Sequence, residues 1–112
     1  MHVKLKEAGD VNICQLSGEI TIDTAQDLKK KFKELLQHKP HKVIINMNEV
    51  EYIDSYGLTT LIDLSEHLRS THGNIALSNL SPKVLSIFEI TKLEKAFVIF
   101  ETEELALKDF SK

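Results

Sequence analysis

Short apolar runs alternate along this chain with stretches whose apolar residues recur every three or four positions. Residues 3–6 and 11–16 read as two strands. Between them lies Ala8-Gly9-Asp10, turn chemistry that predicts a hairpin. Ser17-Gly18 is expected to end the second strand, with residues 19–22 continuing it after a break. The period then changes. Ala25, Leu28, Phe32, Leu35 and Leu36 fall on one face of a helix, and lysines fill the other. Thr24, with Asp27 three residues on, resembles a capping box in which Asp replaces the usual Glu or Gln. Pro40 bars continuation of that helix, because it lacks an N–H and its ring crowds the preceding turn.

Val43, Ile44 and Ile45 form an unbroken apolar run without alternation. A strand covered on both faces reads this way, as in a parallel sheet. Leu58, Leu61, Ile62, Ser65 and Leu68 mark a second amphipathic helix, with Gly73 placed as its C′ glycine. Residues 75–80 are the next strand. Ser81-Pro82 opens a third helix: serine offers a cap oxygen and proline suits the first helical position. Val84, Leu85, Ile87 and Phe88 are its inward residues. Residues 96–100 form a last strand, and Thr102 caps a final helix. Glu103 and Glu104 in its first turn match the positive end of the helix dipole. The order β-β-α-β-α-β-α-β-α implies right-handed crossovers and a mostly parallel sheet, made mixed by the initial hairpin. The fold class is therefore α/β, with about four helices, expected as one domain over residues 1–112.

Composition narrows the functional classes. The 112 residues suit one domain, and a hydrophobic share of 42% suffices for one core. Charged residues, at 28%, mix both signs, which argues against a disordered chain. The net charge of −3 leaves no basic face of the kind nucleic acid requires, while a protein partner remains compatible. Cys14 is the one cysteine, so no internal disulfide forms; within VNICQL it reads as a small buried hydrophobe. No apolar run approaches the ~20 residues of a membrane span. MHVKLKEAGD does not read as a signal peptide, so a cytoplasmic location is expected.

Several chemistries lack their residues. There is no G-x-S-x-G elbow and no phosphate-binding G-x-x-x-x-G-K-[ST] loop. Four glycines leave little for a nucleotide cradle, and no cofactor is expected. His2, His38, His41, His67 and His72 show no H-E-x-x-H spacing. His38 and His41, around Pro40 in a lysine-bearing turn, read as solvated surface, and nothing completes a metal-ligand set. Glu66 and His67 are adjacent on one helix and point apart. Ser55 as a nucleophile needs a base, and no histidine is placed by sequence to serve it. The chain does not read as an enzyme.

What remains is VEYIDSYGLTTL, residues 50–61, where an apolar strand turns into an apolar helix through Asp54, Ser55, Tyr56 and Gly57. Asp54 or Ser55 can be the N-cap, a role whose loss costs about 1 kcal/mol. A phosphoryl group on Ser55 would add about −1.5 to −2 charges. Free N–H groups and the helix dipole favour an anion there, so the fold would tolerate it. A protein docked over the loop would instead meet a new dianion. A loss of ~4 kcal/mol would weaken such a complex about a thousandfold.

Three stretches resemble the bacterial anti-sigma factor antagonists, the small stand-alone STAS domains. LSGEITIDTAQDLKKKF resembles their second strand, Gly-Glu step and first helix. VEYIDSYGLTTL resembles their phosphorylation loop, usually D-S-[ST]-G-L-G. LSPKVLSIFEITKLEKAFVIFETEELAL resembles their C-terminal third. The resemblance implies a mixed α/β STAS fold and partner switching without catalysis by this chain. The unphosphorylated protein would bind an anti-sigma factor that is also a serine kinase, freeing a sigma factor. Phosphorylation of Ser55 would dissociate the complex, and a phosphatase would reset it. Any ATP would belong to the kinase. Thr21, Asp23, Asp54, Ser55, Tyr56 and Gly57 are the expected partner-binding residues. The alternative within the same fold is a non-switching scaffold subunit of a transporter or signalling assembly, with Ser55 only a cap.

The sequence departs from the family pattern in three places. Tyr56 replaces the small residue after the acceptor, and a tyrosine there can obstruct a kinase or anchor an interface. Thr59 replaces the usual glycine after Leu58. Thr21 stands where the family often has Asp. Asp23, two residues on, either shares its face in extended structure and substitutes for it, or starts the helix.

Overall fold

The computed structural model describes residues 1–38 and 40–110; Lys39 of the expected turn and residues 111–112 of the expected domain lie outside them. Five strands, β1 (His2–Ala8), β2 (Val11–Ile20), β3 (Lys42–Ile53), β4 (Asn74–Ser78) and β5 (Val98–Phe100), lie in the sheet in the order of the chain. β1 and β2 are antiparallel and every other pair is parallel. Gly9, at φ +65°, makes the left-handed turn of the hairpin.

The unbroken run in β3 has the expected consequence. Val43, Ile45 and Met47 face a large core with α1 (Ile22–Gln37), α2 (Ser55–Ser70) and α3 (Pro82–Ile90), through Leu28, Phe32, Leu61, Leu68 and Phe88. Ile44 points the other way, where it meets Val11, Ile13 and Ala106 of α4 (Glu103–Phe110). The helices thus cover the two faces unequally. Phe88 and Phe97 meet edge to face, with centroids 5.8 Å apart, and close the core beneath α3.

Local chemistry departs from the sequence reading at four points. β2 runs through Ser17-Gly18 and ends at Ile20. Gly18 takes φ +104°, and register shifts flank it on both sides, so the break is absorbed as bulges. The capping box of α1 is Thr21 with Thr24, not Thr24 with Asp27. Thr21 Oγ1 accepts from the Asp23 N–H at 3.3 Å, and Thr24 Oγ1 accepts from the Thr21 N–H at 2.8 Å. α2 ends in a left-handed turn carried by His72, at φ +63°, not by Gly73. The His72 N–H donates to Arg69 O at 3.1 Å and the Gly73 N–H to Leu68 O at 2.7 Å, the paired bonds of a Schellman turn. Gly73 is needed for room: a Cβ there would stand 3.0 Å from His41 O. Finally, β4 stops at Ser78, where Asn79 turns left-handed (φ +60°), and β5 starts at Val98, because Ala96 closes the 3₁₀ turn at Leu93–Lys95.

α4 is capped as expected, with the Leu105 N–H donating to Thr102 Oγ1 at 3.2 Å. Glu103 goes beyond its dipole role. Its Oε2 pairs with Lys6 Nζ at 3.1 Å and its Oε1 accepts from Asn46 Nδ2 at 3.0 Å, tying the helix to β1 and β3.

Candidate functional site

β2 and β3 are parallel neighbours that end together, with Ile20 opposite Ile53. The helices that follow them therefore begin side by side. This is the carboxyl edge of the parallel strands.

Asp54 joins the two beginnings. Its backbone is extended, and its N–H donates to Ile20 O at 3.0 Å. Its Oδ1 accepts from the Gly57 N–H at 3.0 Å, so Asp54 and not Ser55 is the N-cap of α2. Its Oδ2 accepts from the Ile22 N–H at 3.0 Å, across 32 positions of sequence. One carboxylate thereby serves the first turns of two helices.

Ser55 is the first residue of α2 and is exposed. Its hydroxyl stands at the positive end of that helix. Its carbonyl accepts from Thr59 Oγ1 at 2.9 Å, so the threonine in place of glycine braces the first turn without covering the serine. Tyr56, the residue after Ser55, is 56% exposed. Gly57 is buried, packed against Ile20 and Ile53, and acts from beneath the site.

Thr21 and Asp23 lie at the start of α1. Thr21 is half-buried and is the N-cap; Asp23 is exposed and helical, the helix-start alternative of the two readings. The six residues singled out from sequence thus gather at one end of the sheet. The sequence reading missed Ile22, 53% exposed in the same first turn, because it was assigned to the end of a strand. It also missed Lys83, whose Nζ lies 5.5 Å from the centre of the Tyr52 ring, joining the start of α3 to the end of β3. The Lys83–Tyr52 pairing has no signal in local sequence.

A shallow concavity of about 470 Å³, lined by Leu36, Pro40, His41, His67 and Thr71, lies by the closing turns of α1 and α2. His38 and His41 are both exposed. Among the described residues, no group of three His, Cys, Asp or Glu side chains is arranged to hold a metal ion. Among them, too, no helix is long and apolar enough to cross a membrane.

Residues 2–106 match the STAS domain family. The anti-sigma-B factor antagonist of Listeria monocytogenes is 31% identical over 104 residues, covering 92% of this chain and 90% of that protein. The crystal structure of the Thermotoga maritima protein TM1081 superposes with a TM-score of 0.92 at 27% identity, over 98% of this chain and 95% of that one. The unphosphorylated form of the anti-sigma factor antagonist SpoIIAA shares the fold, with a TM-score of 0.74 at 17% identity, over 98% of this chain and 97% of that one.

Proposed function

The chain belongs to the STAS domain family, and from that membership we propose that it is an anti-sigma factor antagonist switched by phosphorylation of Ser55. Unphosphorylated, it binds an anti-sigma factor that is also a serine kinase, and so releases a sigma factor. Phosphate on Ser55 ends the complex, and a phosphatase restores it. The chain is a substrate and a binding module in the cytoplasm, with no catalysis of its own.

One observation carries this reading: an exposed hydroxyl at the first position of α2, directly after the capping aspartate. A helix start accommodates a dianion through its unpaired N–H groups and its dipole. The acceptor is not needed as the cap, so the phosphate changes the surface and spares the helix. Asp23 and Asp54 make the neighbourhood acidic already. A further dianion there repels any partner surface that bears carboxylates or excludes water from the loop.

The test is incubation with a cognate anti-sigma factor kinase and ATP, read by intact mass. A single species about 80 Da heavier is expected, absent in Ser55→Ala. Fragment masses must place the phosphate on Ser55 and not on the neighbouring hydroxyls of Tyr56 or Thr59. Phosphate elsewhere, or none, overturns the switch and leaves the scaffold role as the better account.

A further inference from the structure

Ile22 begins α1, and its N–H is one of the four donors that a helix start leaves without an intrahelical acceptor. Thr21, the cap of α1, spends its side chain on the Asp23 N–H. The Thr24 N–H turns back to Thr21 O at 3.0 Å. The Ile22 N–H is met instead by Asp54 Oδ2, from the cap of the other helix. The first turn of α1 is thus completed by a residue next to Ser55.

We infer that Asp54 is a positioning residue of the switch: its carboxylate holds Ile22 of α1 and Tyr56 of α2 as two apolar walls of the surface on which the kinase docks to reach Ser55. This deepens the function proposed above and rests on it. Both walls are large and more than half exposed, Ile22 at 53% and Tyr56 at 56%. Neither belongs to the core. Each sits in a first turn, the part of a helix that frays when its donors lack acceptors. The cap bond to Gly57 fixes the Tyr56 wall, and the bond to Ile22 fixes the other wall relative to it. The two oxygens therefore have separable work.

Asp54→Asn separates them. An amide has one acceptor oxygen, which can keep the Gly57 cap bond; its NH₂ group then faces the Ile22 N–H, donor against donor. The helix stays capped and the bridge is lost. Steady-state phosphorylation of the full chain by its kinase, at saturating ATP and at a temperature where every variant is folded, reads the effect. KM for Asp54→Asn should rise roughly tenfold, the scale of one charge-assisted hydrogen bond, with kcat within about twofold. Ile22→Ala, which leaves the core intact, should raise KM likewise, and the double variant should be no worse than either alone. Thr102→Ala, which removes the cap of α4, should leave KM unchanged and so controls for general loosening. An unchanged KM in Asp54→Asn or in Ile22→Ala overturns the inference while the switch itself stands. A wild-type chain that takes no phosphate from the kinase overturns the functional reading first, and the inference with it.

Discussion

Gly57 lies so close to Ile20 that a methyl group on its Cα would stand 2.6 Å from the Ile20 carbonyl oxygen and 2.6 Å from Ile20 Cγ2. The backbone of β2 leaves no room there, and Ile53 Cγ1 at 2.7 Å closes the other side. In Gly57→Ala the gain in helix propensity, up to about 1 kcal/mol, opposes an overpacking cost of about 1–3 kcal/mol. The expected outcome is net destabilisation, measured as a lower urea midpoint at unchanged m. A more stable variant would mean that the first turn of α2 does not press on β2 this way.

Asp54 and Ser55 are neighbours with different duties, and stability separates them. Ser55→Ala removes an exposed side chain that caps nothing, and its effect should stay within ~0.5 kcal/mol. Asp54→Ala removes the cap of α2 and the acceptor of the Ile22 N–H together, and should cost about 1–2 kcal/mol. Thermal melts of the two variants side by side test this. Equal losses would return the capping role to the serine.

Cys14 is fully buried, and that burial pushes its thiol up to about 12 from 9.0. The folded chain holds this proton more tightly than the unfolded chain. The resulting stabilisation is complete below pH 9.0 and is lost as pH rises from there towards about 12. Above pH 9.0, wild-type stability should therefore fall more steeply than that of Cys14→Ala. A maleimide reagent near neutral pH should label the thiol only as fast as the chain opens.

Glu103 holds α4 with one carboxylate in two bonds. The Lys6 partner is 55% exposed in its side chain, so Lys6→Ala should cost at most about 1 kcal/mol. Glu103→Ala also strands the buried Asn46 amide and should cost about 1–3 kcal/mol. Glu103→Gln keeps an acceptor for Asn46 and should lie between the two. Denaturant titrations give the ranking, and a Lys6→Ala loss as large as that of Glu103→Ala would contradict it.

Most of this fold was legible because periodicity reports burial. The run Val43-Ile44-Ile45 revealed a strand covered on both sides, and all three residues are fully buried. Ala25, Leu28, Phe32 and Leu35 marked the inner face of α1 in the same way. Boundaries were less legible, because short-range chemistry has rival solutions. With residues 19–22 assigned to a strand, the cap of α1 reads as Thr24; β2 stops at Ile20, so the cap falls on Thr21. At the site, the cap of α2 could be narrowed to Asp54 or Ser55 but not chosen. The choice follows from the second bond of Asp54, to Ile22, a contact that exists only once β2 and β3 lie side by side. Gly57 stood out in the motif, yet its purpose is steric and only the packed structure displays it.

α1, α2 and α3 blanket one side of the sheet, and α4 lies on the other, while Ser55 sits at the rim where strands become helices. Ser55 is exposed there, outside both packed layers. A change of charge on its hydroxyl is met by solvent and by the helix start, so the interior need not be remoulded to accommodate it.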